Sequence, residues 1–219
     1  MTEQHIRNNQ DQELVVYTLP VGQLQANCYI VAIGDTGYII DPGDEGDYIT
    51  EVVQRLHITP QAILLTHGHF DHVLAAFEVG MAFGIGTYVK KEDLFLIDRM
   101  QKTAEHFLGH AVPEIPPKPL FFYEDSLVTD QMIHVIPTPG HTPGSVSLQF
   151  DGFPVVFTGD TLFAGGFVGD TNHAYSSKSD LQKSLDVLYG LDEKTIVYSG
   201  HGESTTLYEI MAVKNGELV

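Results

Sequence analysis

Residues 62–72 read AILLTHGHFDH. The apolar run Ala62–Leu65 predicts a buried strand, and the chain leaving it carries His67, His69, Asp71 and His72 in quick succession. His67 and His69 sit two apart in a loop that leaves a strand and can point the same way. Asp71 and His72 fall at the start of the next helix and can point to a neighbouring position. Two metal ions become possible.

Upstream, LVVYTL (14–19), CYIVAI (28–33) and GYIID (37–41) predict a meander of strands bounded by Gly, Pro and Asn signals. In DYITEVVQRL, Ile49, Val52, Val53 and Leu56 have helical spacing, so a helix crosses back over the sheet before AILLT. Downstream, a helix is expected from about His72 through VLAAFEVGMAF. A short strand TYVK follows, then a long amphipathic helix over KEDLFLIDRMQKTAEHFLG (91–109). Pro113, Pro116, Pro117 and Pro119 cannot lie inside a helix and are read as a bridge, residues 111–119, between halves spanning about 14–110 and 120–213 of one domain. In the second half MIHVIPT, SVSLQF, PVVFTG and TIVYSG are strand-like, with a helix near Ser179–Tyr189. The class is α/β, with helices on the outer faces of sheets built from similar halves.

Composition limits the function. The 219 residues suit one large domain. Eleven Lys+Arg against 29 Asp+Glu give a net charge of −18, a field that repels a phosphate backbone and weighs against a nucleic-acid substrate. The polar N-terminus carries no signal pattern and no apolar run suits a membrane span, so a cytoplasmic protein is expected. The single Cys28 excludes an internal disulfide and a thiolate cluster and is read as a small buried apolar residue.

Further potential ligands follow other strands. His141 comes after MIHVIPTPG, Asp160 ends VVFTGD and His201 follows TIVYSG. Imidazole and carboxylate suit Zn²⁺, Fe²⁺ or Mn²⁺, whereas the scarcity of sulfur argues against copper or an iron–sulfur cluster. Taken alone, Thr66 or Asp71 could simply cap the following helix. The other histidines, His5, His57, His106, His110, His134 and His173, are read as surface or core residues. Phe95, Phe107, Leu108, Phe121 and Phe122 are read as core or pocket wall, and Gly140, Gly144, Gly159 and Gly200 as tight-turn residues.

In order along the chain, NCYIV, IIDPG, LLTHGHFDH, TPGHTPGSVSL, FTGDTLF and SGHGEST resemble the metallo-β-lactamase superfamily, and within it the glyoxalase II-like (hydroxyacylglutathione) hydrolases. The resemblance implies a four-layer αββα sandwich with the site at one edge. It assigns His67, His69 and His141 to a first metal, Asp71, His72 and His201 to a second, and Asp160 to a bridge between them. It makes Asp41 of DPG a carboxylate that supports a ligand histidine. Two divalent ions are expected, zinc foremost, with iron(II) or manganese(II) as alternatives. The implied reaction is hydrolysis of an acyl compound, a thioester first, by a metal-bridging hydroxide that Asp71 and Asp160 orient. A mononuclear-iron persulfide dioxygenase is the main rival, followed by a lactonase, a β-lactamase-like enzyme and a non-catalytic metal-binding module. The expected partner is a small acyl substrate.

The chain departs from glyoxalase II enzymes after GDTLF. It reads AGGFVGDTNHAYSS (164–177) where those relatives carry a basic and tyrosine-rich stretch, and the protein is expected to lack their C-terminal helical glutathione-binding domain. Gly165, Gly166 and Gly169 suggest a flexible segment. His173 and Tyr175 are candidates to line the substrate pocket, with a plain solvated loop as the other reading.

Overall fold

The computed structural model describes residues 1–123 and 133–216. The chain divides into two compact units, Met1–Phe122 and Tyr123–Val219.

The first unit is built on a seven-stranded sheet, in spatial order β1 to β7. Strands β1 (Thr2–Arg7), β2 (Glu13–Val21), β3 (Ala26–Ile33) and β4 (Thr36–Ile40) form the antiparallel meander. Residues of β3 are almost all buried, Cys28 among them, which is why this stretch reads as a continuous apolar run rather than an alternation. Helix α1 (Gly46–Arg55) buries Ile49, Val52 and Val53 and returns the chain to β5 (Thr59–Leu64), which pairs parallel to β4. Strands β6 (Thr87–Val89) and β7 (Leu120–Phe122) extend the parallel side. Leu19, Ile30, Ile39, Ile63, Leu65 and Val79 are among the residues of this unit's core.

Several expectations need correction. The helix expected from His72 begins as a 3₁₀ turn, Phe70–His72, and becomes α2 only over Ala76–Phe83. The long helix over 91–109 is a 3₁₀ turn Lys91–Asp93, then α3 (Leu94–Ile97) and α4 (Met100–Leu108). The interruption falls at Arg99, whose φ of −105° and ψ of −3° leave the helical ladder. The buried stripe Asp93, Ile97, Met100 and Ala104 nevertheless runs on across it. The prolines at 113–119 precede β7, which closes the first sheet, so the division between units falls after Phe122. Phe107, Phe121 and Phe122 are exposed rather than core. Phe121 stacks on Tyr88 of the neighbouring strand at 5.2 Å between centroids.

The second unit carries a five-stranded sheet in the order β12, β11, β10, β9, β8. Strand β8 (Ile133–Pro137) pairs antiparallel with β9 (Val146–Phe150), and β9 antiparallel with β10 (Val155–Gly159). Met132, expected at the start of β8, lies outside the described residues. Helix α5 (Lys178–Leu188), whose N-terminal Ser177 Oγ accepts from the Asp180 N–H, crosses to β11 (Ile196–Ser199), parallel to β10. After β12 (Thr205–Thr206), helix α6 (Leu207–Lys214) opens with a capping box between Thr206 and Glu209. Leu181, Leu185 and Leu188 of α5 and Leu207 and Ile210 of α6 pack with Val156, Leu162 and Val197.

Candidate metal centre

In the first unit, the pairing of β4 with β5 is carried one residue past the end of β4, since the Asp41 N–H donates to the Leu64 carbonyl at 3.1 Å. Asp41 has a φ of 50°, a left-handed conformation that aspartate tolerates better than most residues. Its carboxylate is buried. Oδ1 accepts from the Thr66 N–H at 2.7 Å, and Oδ2 accepts the Thr66 hydroxyl and lies 3.1 Å from His72 Nδ1. Thr66 therefore serves Asp41 instead of capping a helix, and no side-chain cap forms at the start of the turn or of α2.

These contacts fix proton positions. The Thr66 hydroxyl gives its hydrogen to Asp41, so at 3.1 Å it accepts from His67 Nδ1. Facing a carboxylate, His72 Nδ1 also carries a proton. Both imidazoles are Nδ1–H tautomers, and the nitrogen able to coordinate a cation is Nε2. The ring of His67 lies 4.3 Å from that of His72 and 4.8 Å from that of His69. Ligand atoms of Asp41, His67 and His72 fall within 4.8 Å of one another. Asp71 Oδ2 is 3.7 Å from His72 Nε2. Two glycines permit this crowding. A Cβ on Gly43 would stand 1.7 Å from the Asp71 carbonyl oxygen, and one on Gly68 2.9 Å from the carbonyl of Asp93.

In the second unit, His141 Nδ1 donates to the Asp170 carbonyl at 2.8 Å, which again leaves Nε2 as the coordinating nitrogen. Ser176 Oγ donates to the His141 carbonyl at 2.7 Å. His141 Nε2 and His201 Nε2 each lie 3.7 Å from the same oxygen, Oδ2 of Asp160. The glycine-rich segment forms a closed turn. Leu162 bridges Val168, Phe163 N–H donates to the Phe167 carbonyl at 2.9 Å, and Gly165 and Gly166 take φ of 72° and 76°. Gly169 is buried, and a Cβ there would meet the Asp160 carbonyl oxygen at 2.0 Å. His173 is exposed and stacks on half-buried Tyr175, with centroids 5.0 Å apart and planes 10° apart.

The donor set fits divalent cations. A separation of 3.7 Å is too long for a hydrogen bond, yet it is close to the spacing of about 3.4 Å between two tetrahedral ligands on an ion bound at about 2.1 Å. Sequence reasoning did not find three supports: the Asp170 carbonyl, Thr66 in its actual role, and Asp93, whose Oδ2 accepts from the Gly68 N–H at 2.8 Å. A backbone carbonyl leaves no trace in residue identity, and Asp93 sits among Lys90, Lys91 and Glu92 at the start of the stretch read as an amphipathic helix, where a charge carries no special signal.

The sequence pattern of the metallo-β-lactamase superfamily matches residues 21–201. The chain belongs to the metallo-β-lactamase superfamily. It has that superfamily's fold, mixed α/β with two sheets, and the matched span takes in every candidate ligand from His67 to His201. The probable metallo-hydrolase YqgX of Bacillus subtilis is 37% identical over 190 residues, 85% of this chain and 90% of the relative. The hydroxyacylglutathione hydrolase GloC of Haemophilus influenzae is 32% identical over 197 residues, 86% and 91% of the two chains. The crystal structure of TTHA1623 in a di-iron-bound form aligns with a TM-score of 0.84 at 35% identity, covering 90% of this chain and 98% of that one. Among the described residues of this superfamily member, no helix is long and apolar enough to cross a membrane.

Proposed function

We propose that this superfamily member is a metal-dependent hydrolase of small acyl compounds, thioesters first, with His67, His69, His141, Asp71, His72, His201 and Asp160 as the ligands of two divalent ions. The observation that carries the reading is the placement of two imidazole Nε2 atoms at 3.7 Å from one oxygen of Asp160. A carboxylate flanked in this way suits a bridge between ions. The fixed Nδ1–H tautomers of His67, His72 and His141 add support, because each turns a lone pair outward at Nε2. The likeness to a hydroxyacylglutathione hydrolase favours a thioester, and that to a di-iron protein makes iron as admissible as zinc.

When bound, the two ions would polarise a substrate carbonyl and lower the pKa of water towards about 7. The side chains around them have separate tasks. Asp160 and Asp71 accept hydrogen bonds from the attacking water and orient it. Asp41 and the Asp170 carbonyl hold His72 and His141 in the ligating tautomer and angle. His173 and Tyr175 offer a flat wall on the segment that follows Asp170, against which an acyl or thiol group can lie. A net charge of −18 disfavours nucleic acid as substrate and favours a small molecule.

Metal analysis of the purified protein, combined with turnover of a panel of thioester, lactone and β-lactam compounds, tests this. The expected result is two metals per chain and thioester cleavage without oxygen uptake. One iron per chain with oxygen consumed on a persulfide would replace the hydrolase by a dioxygenase.

A further inference from the structure

Asp93 has no place in the ligand set, yet its side chain is 0% exposed. Buried carboxylates are costly unless their oxygens are satisfied by donors. Here Oδ2 accepts, at 2.8 Å, from the backbone N–H of Gly68, the residue between His67 and His69. The two chains are pressed together at this point. A Cβ on Gly68 would stand 2.9 Å from the Asp93 carbonyl oxygen and 3.0 Å from the Cβ atoms of Asp93 and Leu96. Asp93 is itself anchored, its N–H donating to the Lys90 carbonyl at 3.1 Å just beyond β6, and α3 starts at the next residue. A rigid element thus grips the middle peptide of the His67-Gly68-His69 turn.

That grip has a directional consequence. Successive side chains in a short extended turn diverge unless the peptide between them is held, and His67 and His69 are useful together only if both Nε2 atoms aim at one point. Thr66 fixes the ring of His67 from one side, and the bond from the Gly68 N–H to Asp93 holds the peptide between the two histidines. A carboxylate acceptor also makes the bond charge-assisted and stronger than a neutral one.

We propose that Asp93 is a positioning residue: by holding the Gly68 N–H it sets His67 and His69 to bind one metal ion together. This rests on the metal-centre reading above. The test uses the full-length protein stripped of metal and reloaded with Co²⁺, followed by chelator competition and the visible absorption of the bound ion, with circular dichroism as the check on folding. Asp93→Ala is expected to weaken one of the two bound ions by ~10–100-fold and to alter its spectrum. Asp93→Asn, which keeps an acceptor for Gly68, is expected to restore both. If Asp93→Ala does not fold, Asp93→Glu takes its place, and its extra methylene is expected to weaken the same ion. Wild-type protein that binds Co²⁺ alongside an Ala or Glu variant with unchanged affinity and spectrum would overturn the role of Asp93, as would an Asn variant no better than Ala. Wild-type protein that binds no metal would instead overturn the metal-centre reading.

Discussion

Replacing Asp41 by Asn changes one atom, and the surrounding donors dictate where the change falls. The Thr66 N–H points at Oδ1 and can only donate, so the amide oxygen must take that position. The amide nitrogen then occupies the place of Oδ2, facing the Thr66 hydroxyl and, at 3.1 Å, His72 Nδ1. The hydroxyl can rotate and accept. His72 cannot keep its proton on Nδ1 opposite an N–H donor, so the proton moves to Nε2, the nitrogen needed for coordination. The number of hydrogen bonds is preserved, so the fold should lose only the charge-assisted share, about 1–2 kcal/mol, equivalent to roughly 2–8 °C in Tm for a chain of this size. The metal bound through His72 should lose ~10–100-fold in affinity, or about 1.4–2.7 kcal/mol. Chelator competition measures the second quantity, and ¹⁵N NMR of the labelled imidazole reads the tautomer directly. An Asn variant with His72 protonated on Nε2 and two metals held as tightly as in wild type would refute His72 as a ligand. A variant still protonated on Nδ1 would refute the tautomer argument.

Gly169→Ala should force the Asp160 carbonyl away from a Cβ otherwise 2.0 Å from it, costing stability and metal retention together. Calorimetry with metal counting checks this, and an Ala variant with wild-type Tm and metal content would contradict it. Burial, reinforced by the nearby negative charge of Asp41, raises the Cys28 thiol well above its ordinary pKa. The neutral thiol is the form that the fold favours, so its contribution is complete below about pH 8.5 and is lost as pH rises towards the folded value. Denaturant midpoints measured from pH 7 to 10 should therefore fall less steeply in Cys28→Ala than in wild type, and parallel curves would argue against it. With Asp170 exposed in the segment where the resemblance to glyoxalase II enzymes implies basic residues, S-D-lactoylglutathione should be a poor substrate beside a thioester lacking the γ-glutamyl group. A low KM for the glutathione conjugate would show that other residues hold its carboxylates.

Much of the architecture is visible in residue order because the elements that matter are the apolar ones. The helical spacing of Ile49, Val52 and Val53 and the buried runs at β3 and β5 follow from what a two-sided sheet must bury. Strand β1 was not visible. It is an edge strand with only Ile6 buried, and a strand wet on both faces has no alternation to read. Helix α6 carried a legible signal, Thr206 with Glu209, that periodicity alone passes over. The candidate ligands announce themselves because imidazole and carboxylate are rare in tight clusters. Their supports do not, since Asp93 and the Asp170 carbonyl act through a contact made between distant parts of the sequence. In the turn at 163–169 the glycines answer to two backbone demands that spacing does not reveal, positive φ at Gly165 and Gly166 and close approach at Gly169.

The meander and the parallel strands of the first sheet differ in what they require of an unfolded chain. Strands β1 to β4 pair with sequence neighbours through short connections, so their contacts are local and close quickly. Pairing of β5 with β4 closes a loop that contains α1, and pairing of β7 with β6 closes one of residues 90–119, so both carry a larger loop-closure cost than the meander. The histidine-bearing turn follows the first of these longer-range pairings, and Asp93, which grips it, follows β6. Ligand geometry in this unit is thus expected to form after the meander. A divalent cation supplied during refolding should accelerate none of the early phases and should trap the product of the last one.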